Sequence, residues 1–199
     1  MSNRKKLNFF IHESSYLDKT AKIGDNTKIW HFSNIQSKAI IGKNCSIGQN
    51  VNIGNNVVIG NSVKIQNNVS VYEGVELEDY VFCGPSMVFT NVKIPRSEFP
   101  QKGSKFYSKT LVKKSASIGA NATIICGVTI GEYALIGSGT VVTKDVPSFS
   151  LLVGNPGKVI GWVDRYGSRL IFDNDNIAKC SRTGELYKLQ NDKLLSIEK

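Results

Sequence analysis

From Lys93 to Lys114 the sequence gathers seven basic residues, Lys93, Arg96, Lys102, Lys105, Lys109, Lys113 and Lys114, against the single acid Glu98. Such a run attracts polyanions, and the planar fork of Arg96, fixed one residue after Pro95, suits a phosphate or a carboxylate. Phe99, Phe106 and Tyr107 lie among the cations and can stack on a base or pack the segment on a neighbouring subunit. The competing reading is a solvated basic excursion that only staples an assembly. Histidine chemistry has two candidates, His12 and His31. His31, in Trp30-His31-Phe32, is either a surface or interface imidazole or a substrate contact, and His12 lies too close to the N-terminal end to serve. Cys45, Cys83, Cys126 and Cys180 are far apart with no C-x-x-C pair, so neither a zinc site nor a disulfide framework is signalled and no metal is expected. No P-loop occurs.

What holds these residues in place is a repeat. The stretch IGKNCS-IGQNVN-IGNNVV-IGNSVK-IQNNVS has a six-residue period, and the frame runs unbroken from Ile11 to Val88. Each unit opens on an aliphatic residue such as Ile47, Ile53 or Ile59, and its fifth position is small or apolar, from Ser15 to Met87. A second block starts at Val112 and runs to Val146. Six fits neither the helical period of 3.6 nor the strand period of 2, so it describes short strands separated by corners. Gly, Asn and Asp crowd the second to fourth positions, where a corner needs residues tolerant of positive φ. Three hexads close one coil of a triangular prism, with parallel strands stacked about 4.8 Å apart and aliphatic side chains filling the interior. The domain plan is an N-terminal cap at residues 1–10, a β-helix at 11–147 with an extruded loop at 89–111, and a small β-rich appendage at 148–199 with turns at Asn155-Pro156-Gly157 and Thr183-Gly184.

At 199 residues and 41% apolar the chain fits one domain with an appendage. With 25 Lys and Arg against 16 Asp and Glu, its net charge is +9, so nucleic acid, anionic membrane and phosphorylated small molecules are all open partners. The lack of a long apolar run and of a signal-peptide core points to a cytoplasmic protein without a membrane partner. Confinement of the charge to one loop, without a long basic stripe, disfavours a nucleic-acid-binding solenoid.

The hexads resemble those of the hexapeptide-repeat acyltransferases, which implies an all-β fold, a left-handed parallel β-helix, assembled as a homotrimer with the acyl-donor coenzyme between neighbouring prisms. Metal-dependent hydratases of the γ-carbonic anhydrase kind share the prism but need three histidines, and this chain has two. The runs KIQNNVSVYEGVELEDYVFCGPSMVFTNV, PRS, TLVKK, IGANATIICGVTIGEYALIGSGTVVTKDVPS, VGNP and CSRTGELYKL are similar to those of N-acetyltransferases acting on the 3-amino group of nucleotide-linked 3-amino sugars. The nearest likeness is to those using UDP-2-acetamido-3-amino-2,3-dideoxy-D-glucuronate in surface polysaccharide (O-antigen) biosynthesis, with a sister group using dTDP-3-amino-3,6-dideoxyhexoses. Where relatives often read Asn-Pro-Arg-Ser, this chain has Ile94-Pro95-Arg96-Ser97.

The resemblance implies acetyl-CoA as co-substrate and places Asn91, at the break in the frame, beside the acceptor amine. Arg96 becomes a contact to the nucleotide sugar. Gln66, Asn67 and Asn68 are either a corner ladder or contacts to sugar and uracil, and in the next coil Tyr72 and Glu73 are further substrate contacts, Glu73 able to align the amine. For the coenzyme, small residues at Ala120, Gly137, Ser138 and Gly139 permit close approach, and Lys144 and Lys158 are phosphate partners. An amine is partly neutral near pH 8, so positioning by Asn91 can carry the chemistry without a histidine base.

Overall fold

The structure is a computed structural model that describes residues 8–101, 103–191 and 193–197. Its body is a parallel β-solenoid with three faces. The first face stacks eight parallel strands, from Phe10–Ile11 through Lys28–Ile29, Ser46–Ile47, Lys64–Ile65, Phe82–Cys83, Ser117–Ile118 and Leu135–Ile136 to Ser150–Val153. The second runs from Tyr16–Leu17 to Val141–Val142, and the third from Lys22–Ile23 to Thr129–Ile130. Strand partners lie one coil apart, as in Ile29 opposite Ile47 and Ile53 opposite Val71.

The hexad explains this geometry residue by residue. The opening residue and the fifth residue point inward, so Ile47, Ile53, Ile59, Val51 and Val57 are all buried in one continuous core. Each buried aliphatic side chain contributes roughly 1.5–3 kcal/mol, which the thin prism needs because no other layer covers it. Where the fifth residue is polar, its hydroxyl is satisfied by the next coil: Thr27 Oγ1 donates to the Gly42 carbonyl and Ser33 Oγ to that of Gly48, both at 2.8 Å.

Two kinds of corner residue, treated alike in the sequence reading, separate here. Positive φ belongs to the fourth position, at Asn26, Asn44, Asn50, Asn56 and Asn68, and even at Phe32 and Tyr133. Second-position glycines such as Gly42 have no positive φ. A Cβ on Gly42 would sit 2.5 Å from the Gly60 carbonyl oxygen, so this glycine serves the close stacking of coils, not the turn.

Three boundaries differ from expectation. Phe89 and Thr110-Leu111 belong to strands Val88–Phe89 and Thr110–Val112, so the excursion spans 90–109, not 89–111; Phe89 is an inward opening residue. The solenoid does not stop at 147, because Leu151 and Leu152 pair in parallel with Leu135 and Ile136 and Leu152 joins the main core. Of the expected 1–10 cap, residues 1–7 lie outside the described residues, and Phe10 already belongs to the first strand. After the solenoid, Lys158–Trp162 folds back antiparallel on Ser150–Val153. The strands Ile177–Lys179, Leu186–Gln190 and Lys193–Ile197 then form an antiparallel sheet with a separate core of Trp162, Leu170, Ala178, Cys180, Tyr187 and Leu194.

Candidate active site

The three edges of the prism sort the candidate residues. Along the first edge, between the first and second faces, third positions stack as His31, Gln49, Asn67, Pro85, Ala120 and Ser138, linked by backbone bonds from Asn50 N to His31 O, Asn68 N to Gln49 O, Asn121 N to Pro85 O and Gly139 N to Ala120 O. Gln66 and Asn68 flank Asn67 there. Along the second edge, between the second and third faces, the same positions include Glu73, Asn91, Cys126 and Lys144. One chain therefore brings Asn91, Glu73, Tyr72, Lys144 and the basic excursion to one edge, and His31, Gln66, Asn67, Asn68, Ala120, Gly137 and Ser138 to another.

The excursion leaves and returns at a narrow neck. Asn91 O accepts the Ser108 N–H at 2.9 Å, and the Asn91 side chain is half-buried with no hydrogen bond among the described residues. Two threonines that flank the break restore hydrogen bonding for the coil above: Thr90 Oγ1 accepts from Cys126 N at 2.9 Å and Thr110 Oγ1 from Gly127 N at 3.2 Å. Corner glycines border the excursion above and below, and both hold a positive φ, 98° at Gly74 and 91° at Gly127. At Gly74 a Cβ would meet the Ser108 carbonyl oxygen at 3.4 Å, and at Gly127 the Lys93 side chain at 3.1 Å. Nothing in the hexad frame singled out Thr90 or Thr110, although hydroxyls on both sides of a frame break are a legible signal in retrospect.

The charge is less concentrated than its sequence spacing implies. Lys113 and Lys114 belong to the third edge, where Lys114 N donates to Glu78 Oε2 at 2.8 Å and the ammonium lies 6.0 Å from the Tyr80 ring centre. Five of the seven cations remain on the excursion, of which Lys102 lies outside the described residues. Arg96 is exposed and donates from Nη1 to the Pro95 carbonyl at 3.1 Å, leaving the rest of its guanidinium open to solvent. Lys109 lines a groove of about 400 Å³ on the third face with Asn56, Val58, Gly74 and Glu76.

On the first edge the amides do form a ladder. Asn67 Oδ1 accepts from Gln49 N at 2.9 Å and Asn68 Oδ1 from Asn50 Nδ2 at 3.0 Å, while both residues stay exposed. Gly137 is occupied by its own chain: a Cβ there would lie 2.8 Å from Val153 Cγ1, so its smallness seats the following hairpin. Ser138 and Gly139 remain exposed and Ala120 is half-buried, and Gly139 has nothing within 4 Å of its Cβ position. Lys158 is exposed opposite Val153, near the same edge. His31 lies against His12 with ring centres 3.6 Å apart and planes tilted by 32°, and His12 Nδ1 lies 2.9 Å from Ser14 Oγ. Counting coils at about 4.8 Å each, His31 lies roughly 14 Å below Asn91 along the prism axis. Among the described residues no three His, Cys, Asp or Glu side chains gather as a metal-binding group, and no helix is long and apolar enough to cross a membrane.

Family models for a bacterial transferase hexapeptide (six repeats) match residues 20–55 and 109–144, and one for the hexapeptide repeat of succinyl-transferase matches 38–73. A dTDP-3-amino-3,6-dideoxy-alpha-D-galactopyranose 3-N-acetyltransferase of Aneurinibacillus thermoaerophilus is 44% identical over 180 residues, 90% of each chain. The bifunctional protein GlmU of Thermotoga petrophila is 36% identical over 94 residues, 46% of this chain and 21% of that one. Among solved structures, a GDP-perosamine N-acetyl transferase of Caulobacter crescentus with CoA and GDP-perosamine superposes with TM-score 0.53 at 22% identity, over 78% of this chain and 57% of that one. The acetyltransferase domain of PglB from Neisseria gonorrhoeae, with acetyl coenzyme A, gives TM-score 0.51 at 20% identity, over 78% and 58%. The chain thus spans less than two thirds of these two structures, and at such identity they carry the fold alone.

Proposed function

Because the chain belongs to the hexapeptide-repeat nucleotide-sugar N-acetyltransferase family, on 44% identity across 90% of both chains to one such enzyme, we propose that it moves the acetyl group of acetyl-CoA to the 3-amino group of a dTDP-linked 3-amino-3,6-dideoxyhexose. The near-full-length identity is the observation that carries this acceptor. The expectation of a UDP-linked uronate rested on likeness of motifs, and the cations gathered between Lys93 and Lys114 add nothing to it. Two of those cations sit on the third edge, and the remainder have the phosphates of any nucleotide sugar to meet, so the charge is not diagnostic of a carboxylate on the sugar. A coenzyme-release assay across a panel of dTDP- and UDP-linked 3-amino sugars tests it. The dTDP-6-deoxy substrates should win in kcat/KM, and preference for the uronate would reverse the acceptor while leaving the acetyl transfer intact.

A homotrimer completes the site in this reading. Asn91 and the excursion occupy the second edge, whereas Ala120, Ser138 and Lys158 occupy the first; a neighbouring prism set parallel brings one edge against the other. Rotation about an axis parallel to the prism preserves height, so Asn91 comes level with the neighbour's first edge between Pro85 and Ala120, with Ser138 higher up that edge. His31 stays about 14 Å below Asn91 whichever neighbour supplies it.

The chemistry then follows from position. The free half-buried amide of Asn91 accepts a hydrogen bond from the substrate amine and orients its lone pair on the thioester carbonyl. Backbone N–H groups stabilise the developing oxyanion, and the proton lost by the amine goes to the departing coenzyme sulfur. Lys144 and Lys158 offer cations to the coenzyme phosphates, and Arg96 its open guanidinium to the pyrophosphate of the sugar nucleotide.

A further inference from the structure

Glu73 is expected from the sequence to touch the substrate, yet one oxygen of its carboxylate is already occupied. Oε1 accepts from Ser104 Oγ at 2.6 Å and from Asn56 Nδ2 at 3.1 Å. Ser104 is thirty-one residues away, on the one helical turn of the excursion, Ser104–Phe106, while Asn56 lies one coil below Glu73 on the second edge. The three residues thus tie the far part of the excursion to the prism wall. The return limb is seated from beneath as well: Tyr107 and Ser108 lie over Gly74, where any side chain would meet Tyr107 Cβ at 3.6 Å and the Ser108 carbonyl oxygen at 3.4 Å.

A charged acceptor matters because of what it holds. Phe99 and Ile94 are 69% and 64% exposed, so little apolar burial anchors the excursion, and Ser104–Phe106 contains no buried residue. With that little packing, the neck at Asn91 and Ser108 and the bonds at Glu73 are what define where the segment lies. A hydrogen bond to a carboxylate is about twice as strong as one between neutral groups, which suits a single tether.

We propose that Glu73 is a positioning residue, not a substrate contact: with Ser104 and Asn56 it latches the basic excursion against the second edge, so that Arg96 and Asn91 meet the nucleotide sugar in a fixed relation. The latch rests on the reading of the excursion as the sugar-nucleotide site, and its loss should be felt in KM for that substrate while coenzyme binding, which uses no residue of the excursion, is spared.

Two readouts keep the latch and that reading apart. The first is the rate of limited trypsin cleavage at Lys105 and Lys109 in the folded full chain, which needs no substrate. The second is the pair of KM values in the coenzyme-release assay. Ser104→Ala and Glu73→Ala should each raise cleavage about tenfold and raise KM for the sugar nucleotide about tenfold, with KM for acetyl-CoA within about twofold. Glu73→Gln keeps an oxygen for the Ser104 hydroxyl at about half the strength, and should fall between wild type and Glu73→Ala in both. Unchanged cleavage in Ser104→Ala overturns the latch. Raised cleavage with unchanged KM keeps the tether but overturns its positioning role and the reading of the excursion with it. Normal cleavage in Glu73→Gln combined with the full KM loss would show that the charge itself meets substrate, and that outcome also overturns the proposal.

Discussion

Gly42→Ala isolates the physical reason for the second-position glycines. The added Cβ would stand 2.5 Å from the Gly60 carbonyl oxygen, 2.6 Å from its carbon and 2.8 Å from Asn61 N, all backbone atoms of the next coil. An easy carbon–oxygen approach is about 3.3 Å, so the two coils must part locally by about 0.8 Å. The hydrogen bond from Gly42 N to Ile59 O, 2.8 Å long, would then stretch to about 3.6 Å and cease to count as one. Losing two or three such bonds at about 1 kcal/mol each, on top of overpacking at about 1–3 kcal/mol, gives roughly 3–6 kcal/mol. For a chain of this length that is a fall in Tm of about 6–24 °C, readable by circular dichroism. Gly42→Asn should fare no better, because asparagine relieves only a left-handed backbone and Gly42 does not have one. Asn44→Gly, at a position with φ 59°, should cost far less. A Gly42→Asn variant as stable as wild type would refute the close-approach argument and return the glycine to the turn.

Asn91→Ala should lower kcat/KM about 30-fold to 1,000-fold, the worth of one aligned hydrogen bond at the transition state, whereas His31→Ala should cost much less; a dead histidine variant whose pH–rate profile loses an ionisation near neutrality would make His31 the base. All four cysteines are buried, and burial pushes the Cys83 thiol up to about 12, so a thiol reagent should label none of them in the native protein and four after denaturation. Rapid native labelling of any one would contradict the packing. Burial, then the hydrogen bond to Glu185, pushes the Tyr187 hydroxyl above its ordinary value near 10. The folded protein keeps a proton that the unfolded chain gives up, so this contribution to stability is full below about pH 10 and declines as pH rises further. Denaturant titrations should show Tyr187→Phe with a shallower alkaline decline than wild type; an equal decline in both would assign the effect elsewhere.

Much of the solenoid was legible because its information is local and repeated. A hexad states the orientation of its own six residues, and every opening position from Ile29 to Ile65 is buried as the period requires. The break near residue 90 was equally plain, since losing the frame is itself a local event. A ladder could stand as one of the two readings of Asn67 and Asn68 because neighbours one coil away are eighteen residues apart, an interval fixed by the period.

What the period cannot encode is the destination of a segment that has left it. Ser104 reaches Glu73 across thirty-one residues with no common frame, and so the carboxylate looked free for substrate until the fold placed the excursion over its own wall. Lys113 and Lys114 adjoin the excursion in sequence but re-enter the coil and turn to the third edge, because a chain that resumes the frame inherits the prism's direction there. Likewise the closeness of coils, which decides why position two is glycine, exists only between residues eighteen apart and never within one hexad. Sequence by itself thus determined the prism, its inward residues and the place where it opens. Tertiary structure alone decided which edge each functional group occupies, because an edge is shared by residues from different coils and by a loop whose contacts no repeat prescribes.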